Sequence, residues 1–234
     1  MVHGMERNQY GQQVGAPVPH WSTRPLPGRG TLAGRYVTAE PISLRHADAL
    51  FAAVCGPGNG ALWTYRPVPQ PESIAEFEKG VLRPLAEHAE CTSFAFVPAG
   101  DRASGLATLS SCAPEAGVVE ISGVLWGRSM RRSTAATEAI HLMLRYVFQQ
   151  LGYRRVEWKC DSRNEPSARA AQRLGFTYEG RFRQHMIVRG RNRDTDWYSM
   201  LDTEWPAIRA RNERWLDPRN FDQNGHQLQR LEEI

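Results

Sequence analysis

The residues with the most chemistry to offer lie between Val119 and Glu138, in VEISGVLWGRSMRRSTAATE, where an apolar run passes through a short basic loop into a helix-forming segment. A loop that opens directly into a helix aims unpaired backbone N–H groups, and the positive end of the helix dipole, at whatever sits above it. Arg131 and Arg132 add two charges there, and Ser133, Thr134 and Thr137 add hydroxyl donors. Together they suit a pyrophosphate. Taken alone, the segment also reads as an ordinary capped helix with solvated arginines. A second constellation is Asn164-Glu-Pro-Ser167, at the junction of a strand-like run and a helix. Asn164 is a helix N-cap by type and position, and Ser167 sits just inside the first turn. Ahead of the basic loop, the bulge-prone pair Ser122-Gly123 can turn the backbone N–H of Val124 or Leu125 out of the sheet, the kind of donor that stabilises an oxyanion.

Several other chemistries lack their residues. There is no GxSxG elbow, no GxxxxGK[ST] loop and no HExxH helix. Gly56-Pro-Gly-Asn-Gly60 is glycine-rich, but no strand leads into it and no Lys-Ser/Thr follows, so it reads as a plain loop. Cys55, Cys91, Cys112 and Cys160 form neither a CxxC pair nor a cluster with histidine. That argues against a metal site and fits a reducing cytoplasm, and Cys160 reads as a buried strand thiol. No signal-like or bilayer-length apolar run is present, so a soluble cytoplasmic protein is expected. A net charge of +4 suits an anionic ligand but falls short of a dedicated nucleic-acid binder. Arg181, Arg183, Arg189, Arg191 and Arg193 crowd one hairpin region. There a solvated hairpin, an acidic substrate and ribosomal RNA beside a ribosomal target all remain open.

Positioning these groups falls to a chain of 234 residues, 41% apolar with seven tryptophans, enough for a sizeable core and without an internal repeat. Residues 1–30 lack periodicity and read as an extended or disordered arm. A strand is expected over 32–42, a short helix over 44–54 and a second over 71–88. In the last, Ile74, Phe77, Val81, Leu82 and Leu85 recur at helical spacing and wall off a pocket. Residues 91–97, 103–111 and 117–126 form an antiparallel meander. The clearest helix runs over 134–151 to a stop at Gly152. A strand over 155–160, a helix over 166–174 and strands over 177–188 and 194–201 follow, the last two flanking Arg189–Asn192. Trp197, Trp205 and Trp215 pack the final strand and a C-terminal helix, and 217–234 form a polar tail. The order predicts an α/β (α+β) fold, a central mixed and mostly antiparallel sheet flanked by helices, as a monomer or homodimer.

Five blocks add a resemblance. Arg131-x-x-Thr134-x-Ala136 resembles the acyl-CoA signature Q/R-x-x-G-x-G/A of the GNAT superfamily, with Thr134 in place of the central glycine. ATEA at 136–139, NEPS at 164–167, RLGF at 173–176 and YEG at 178–180 are similar to the RimJ/RimL branch, which acetylates protein N-termini. The resemblance covers about residues 31–216. It implies acetyl-CoA or another acyl-CoA as co-substrate, and nucleic acid only indirectly through a ribosomal target; the sequence itself points to no metal and no membrane. The acceptor would be a primary amine, a protein N-terminus or a small molecule, attacking directly. By the same resemblance the cofactor would meet Val124, Leu125 and Trp126 and the loop Arg131, Arg132, Ser133, Thr134, Ala135, Ala136 and Thr137. Asn164 would hold the pantetheine arm or orient the acyl group, and Ser167 would hydrogen-bond the departing thiolate. Glu120, in the place of the family's EIG-type glutamate, would be the general base for a protonated amine, a sheet-edge carboxylate being the plain alternative. Glu138 reads as a carboxylate serving the helix dipole. Because a Cβ at Thr134 limits backbone approach to an anion, a catalytically weak module that binds CoA or RNA is the second reading.

Overall fold

The computed structural model describes residues 6–234. A small hairpin, β1 (Glu6–Arg7) and β2 (Gln13–Val14), stands apart from the main sheet. Residues 21–29 then run extended across the domain. The Trp21 indole N–H donates to the Glu115 carbonyl at 2.7 Å, the Thr92 hydroxyl to that of Pro27 at 2.6 Å, and the Gly28 N–H to the Tyr146 hydroxyl at 2.7 Å.

The main sheet contains β3 (Leu32–Ala33), β4 (Val37–Pro41), β5 (Thr92–Pro98), β6 (Gly105–Ala113), β7 (Val118–Trp126), β8 (Arg155–Asp161), β9 (Thr177–Val188) and β10 (Arg191–Leu201). Their spatial order is β3-β4-β5-β6-β7-β8-β10-β9. Every neighbouring pair is antiparallel except β7–β8, which is parallel and therefore needs a helical crossover. That crossover is α4 (Thr134–Arg145), prolonged by a π turn over Tyr146–Leu151 to Gly152, whose φ of 71° ends the helix. Before it come α1 (Ala47–Val54) and a continuous helical stretch of α2 (Ile74–Phe77), a π turn (Glu78–Leu82) and α3 (Arg83–Glu87). After it come α5 (Glu165–Leu174) and α6 (Trp205–Trp215).

Strand alternation divides the core between two faces. Phe94, Phe96, Ala107, Leu109, Val119, Ile121, Val156 and Trp158 pack with Ala139, Ile140, Met143 and Val147 of the α4 stretch. On the other face, Ala95, Leu106 and Leu125 lie with Leu50, Val54, Phe77, Val81 and Leu82 from α1 to α3. Ile74, expected in that apolar row, is exposed, and Leu85 is only partly buried.

The strand expected over 32–42 is instead a hairpin. Its pin is Glu138, whose buried carboxylate accepts the backbone N–H groups of Arg35, Tyr36 and Val37 at 2.9, 2.6 and 2.9 Å. A Cβ on Gly34 would come within 2.5 Å of the same carboxylate. Glu138 is thus a tertiary tie, not a solvated partner of the helix dipole. The supposed polar tail also folds back: Leu231 is fully buried in a small cluster with Trp215 and Leu216. Trp205 and Trp215 are buried as expected. Trp197 remains half-buried, its ring 4.7 Å from that of Phe182.

Candidate functional site

The central feature is a gap in the sheet. β7 and β8 pair only through Val118–Arg155, Val119–Val156 and Glu120–Glu157, although β7 continues to Trp126 and β8 to Asp161. Past Glu120 the strands part. On its other edge β7 stays registered to β6 through Leu106–Leu125 and Gly105–Trp126, with an irregularity between Leu106 and Thr108. There Gly123, at φ 63°, and Val124 form a bulge, a left-handed conformation that glycine adopts without strain. Val124, Leu125 and Trp126 therefore border a wedge in which β7 has backbone edge but no strand partner. An extended, amide-bearing chain fits such an edge by taking the place of the missing strand.

The basic loop leads from the wide end of the wedge into α4. Ser133 is the N-cap: its Oγ accepts the Ala136 N–H at 3.1 Å and donates to the Met130 carbonyl at 2.7 Å. Thr137 is buried, and its hydroxyl accepts from the Arg173 guanidinium at 3.0 Å. The Ser133 hydroxyl, expected as a ligand donor, is thus consumed by the fold, the Thr137 hydroxyl is buried against Arg173, and Ala135 is buried beside them. Ala136 and Thr134 are partly buried. The groups left for a ligand are the first-turn amides of Thr134 and Ala135 and the exposed Arg131 and Arg132. Arg132 has φ 58°, an unusual conformation for a non-glycine residue that bends the loop just before the helix.

The β8–α5 junction forms the far wall. Asn164 caps α5 by accepting the Ser167 N–H at 3.3 Å. The Ser167 hydroxyl accepts from the Trp158 indole at 3.0 Å, and burial raises the pKa of the Cys160 thiol on the same strand. At the apex, Glu120 is neither exposed nor alone. Its Oε2 accepts from Lys159 at 3.0 Å and from Ser111 at 3.1 Å, and Lys159 also reaches Glu157 at 2.9 Å. Burial works against the Lys159 ammonium, but the hydrogen bond to Glu157 and the charge of Glu120 outweigh it and hold its pKa above the ordinary value. Glu157 and Lys159, two apart on β8, carried a same-face signal in the sequence that had no reason to stand out.

A loop that the sequence did not single out crosses the wedge. The Arg66 guanidinium donates to the Gly123 carbonyl at 2.8 Å, the Tyr65 hydroxyl to that of Arg163 at 2.8 Å, and the Arg189 guanidinium to that of Trp63 at 3.2 Å. Residues 63–66 thereby strap the β7 bulge to the β8–α5 turn and to the tip of the β9–β10 hairpin. Between strap and hairpin lies a cavity of about 880 Å³. Among the described residues no three His, Cys, Asp or Glu side chains group as a metal site, and no helix is long and apolar enough to cross a membrane.

Residues 37–177 match the family described as an acetyltransferase (GNAT) domain. The chain belongs to the GNAT acetyltransferase family. A GCN5-related N-acetyltransferase from Brucella melitensis, solved by crystallography, is 44% identical with a TM-score of 0.90, over 92% of this chain and 98% of that one. The Bacillus subtilis protein YdaF, named as a candidate ribosomal N-acetyltransferase, is 35% identical over 69 residues, 30% of this chain. That match spans only 38% of the relative's own length. The solved RimL ribosomal L7/L12 α-N-protein acetyltransferase, in complex with coenzyme A, aligns over 74% of this chain and 98% of that one. Its TM-score of 0.63 at 20% identity makes this a likeness of fold. In this GNAT chain the signature's central glycine is Thr134, at the first position of α4.

Proposed function

We propose that the chain transfers an acyl group, acetyl in the simplest case, from acyl-CoA to a primary amine by direct attack. The observation that carries this reading is the parting of β7 and β8 beyond Glu120 and Glu157, which leaves an unpaired β7 edge leading to the N-terminus of α4. Acyl-CoA supplies the activated thioester and, in its pantetheine arm, amide groups for that edge. Arg131, Arg132 and the amides of Thr134 and Ala135 meet the pyrophosphate, each charged contact being worth about 1.5–3 kcal/mol. The N–H of Val124 or Leu125, turned by the bulge, stabilises the oxyanion. The amine nitrogen forms its bond to the carbonyl carbon, and the carbon–sulfur bond then breaks. The proton that the nitrogen sheds as the amide forms passes through water or the Ser167 hydroxyl to the departing sulfur, so that Ser167 ends as it began.

The amine attacks only when neutral, so a proton must leave it. Glu120 takes that role. It lies three residues down β7 from the bulge, roughly 10 Å at strand rise, so the proton travels through water rather than directly. The ribosomal naming of the relatives favours a protein N-terminus as acceptor. Release of CoA thiol from acetyl-CoA that depends on added amine is the test. Acetyl-CoA binding without turnover, across peptide N-termini, polyamines and aminoglycosides, would instead favour the binding-module reading that Thr134 keeps in play.

A further inference from the structure

We propose that the acceptor is a peptide N-terminus with acidic residues among its second to fourth positions, read by arginines of the β9–β10 hairpin; this rests on the acyltransferase reading above. The cavity between strap and hairpin is lined by Arg163, Arg189, Arg191 and Arg193 against a single carboxylate, Asp161. Arg181, farther along the same hairpin, is neutralised by Asp196 at 2.6 Å. Among the described residues, none of the four cavity arginines has such a carboxylate partner. The Nε atoms of Arg193 and of the neighbouring Arg66 are buried without any hydrogen-bond partner. Arg24, Arg209 and Arg211 also carry an unmet Nε elsewhere in the chain, so that of Arg193 counts here through its place on the cavity wall, where an acceptor can reach the guanidinium. Guanidinium groups match carboxylates in both charge and planar geometry.

The register supplies the spacing. Trp197 pairs with Lys159 and Thr195 with Asp161 on the face that carries Lys159 and Glu120, and Arg193 and Arg191 continue the alternate positions of β10 beyond a register shift whose extra residues lie on β9. From the level of Asp161, where the wedge is open, Arg193 lies two residues along β10 and Arg191 four, about 7 and 13 Å at strand rise. An extended peptide with its amine in the wedge has the same rise, which brings its third residue level with Arg193 and puts its second and fourth within reach of the long Arg193 and Arg191 side chains. The cavity of about 880 Å³ is at the upper end of ordinary ligand pockets and accommodates several residues. Of the two aromatic rings in its lining, Trp63 is buried with its indole N–H on the Val54 carbonyl, which leaves Tyr65 as a single partly exposed ring where a nucleic-acid site would array several. That favours carboxylates over nucleic acid.

The test compares kcat/KM for thiol release with three hexapeptides sharing their first residue and carrying Glu, Gln or Lys at positions two to four. Free aspartate and phosphoethanolamine are run beside them. The Glu peptide should exceed the Gln peptide by about tenfold and the Lys peptide by about a hundredfold at low salt, with the gap closing as salt rises. The double variant Arg191→Glu, Arg193→Glu should reverse the order, a result that misfolding cannot produce. Equal rates for the three peptides, a preference that survives the charge reversal, or free acidic amines outperforming the peptides would overturn the proposal while leaving acyl transfer intact. If no amine turns over, the acyltransferase reading fails by itself. Fluorescence-polarisation binding of the same peptides then decides this one, equal affinity for the Glu and Lys peptides overturning it.

Discussion

Replacing Glu120 with Gln separates chemistry from architecture, because the geometry around it limits what the substitution can disturb. The side chain keeps its shape, and the amide oxygen still accepts from Ser111 or Lys159. Lys159 retains Glu157 at 2.9 Å, so the ammonium is not left buried and alone. With the Glu120 and Lys159 side chains only 13% and 16% exposed, losing one of the two ion pairs should cost about 1–2 kcal/mol, above a surface pair but below an orphaned buried charge. For a chain of this size that lowers Tm by roughly 2–8 °C. Loss of a positioned base should lower kcat/KM for the amine by about 10²–10⁴, equivalent to about 2.7–5.5 kcal/mol of barrier. The variant should therefore be folded and bind acetyl-CoA normally in a calorimetric titration, with the loss confined to the chemical step. Wild-type kcat/KM across pH would refute the assignment and move the base elsewhere.

Removing both charges in Arg131→Ala, Arg132→Ala should raise the KM for acyl-CoA by at least about tenfold per arginine while leaving acceptor KM unchanged; an unchanged acyl-CoA KM would sink the loop assignment. Ser167→Ala should lower kcat with little effect on acyl-CoA affinity. It should also cost about 1 kcal/mol of stability, since the Trp158 indole loses its acceptor. Full kcat where chemistry is limiting would leave Ser167 only its place in the helix turn. His141 is buried, and burial first, then Arg145 and Arg209, pull its pKa down to about 4 from 6.5. Its folded pKa lies below the unfolded one, so its contribution is complete above pH 6.5 and is lost as pH falls to about 4, roughly 3 kcal/mol in all. Denaturant unfolding at pH 7 and 4.5 should show that slope in the wild type and a much smaller one in His141→Phe.

The parts of the fold that were legible in the sequence are those written locally. Ala139, Met143 and Val147 repeat at helical spacing up to Gly152, and Ser122-Gly123 announces a bulge. The parts that were not depend on partners far along the chain. No neighbour of Gly34 reveals that Glu138 will pin a turn there, and one leucine, Leu231, is too little pattern to distinguish a docked segment from a tail. Within the site, types and positions were readable but occupancy was not. Ser133 and Thr137 look like free hydroxyls until Met130, Ala136 and Arg173 claim them. Tyr65 and Arg66 escaped notice because they bind backbone carbonyls, which carry no side-chain signature.

The three-residue ladder between β7 and β8 makes the sheet two leaves joined by a short seam. One leaf, β3 to β7 with α1 to α3, is drawn from residues 32–126, and the other, β8 to β10 with α5, from residues 155–201, with α4 lying across as the binding. Each leaf is assembled mostly from contacts near in sequence, and few backbone rungs resist a change in the angle between them. A molecule lying in the opening supplies the missing rungs and so acts as mortar. Amides along Ile121–Trp126 and Trp158–Asp161 should exchange with solvent faster than those at the centre of either leaf, and slow together once acyl-CoA is bound.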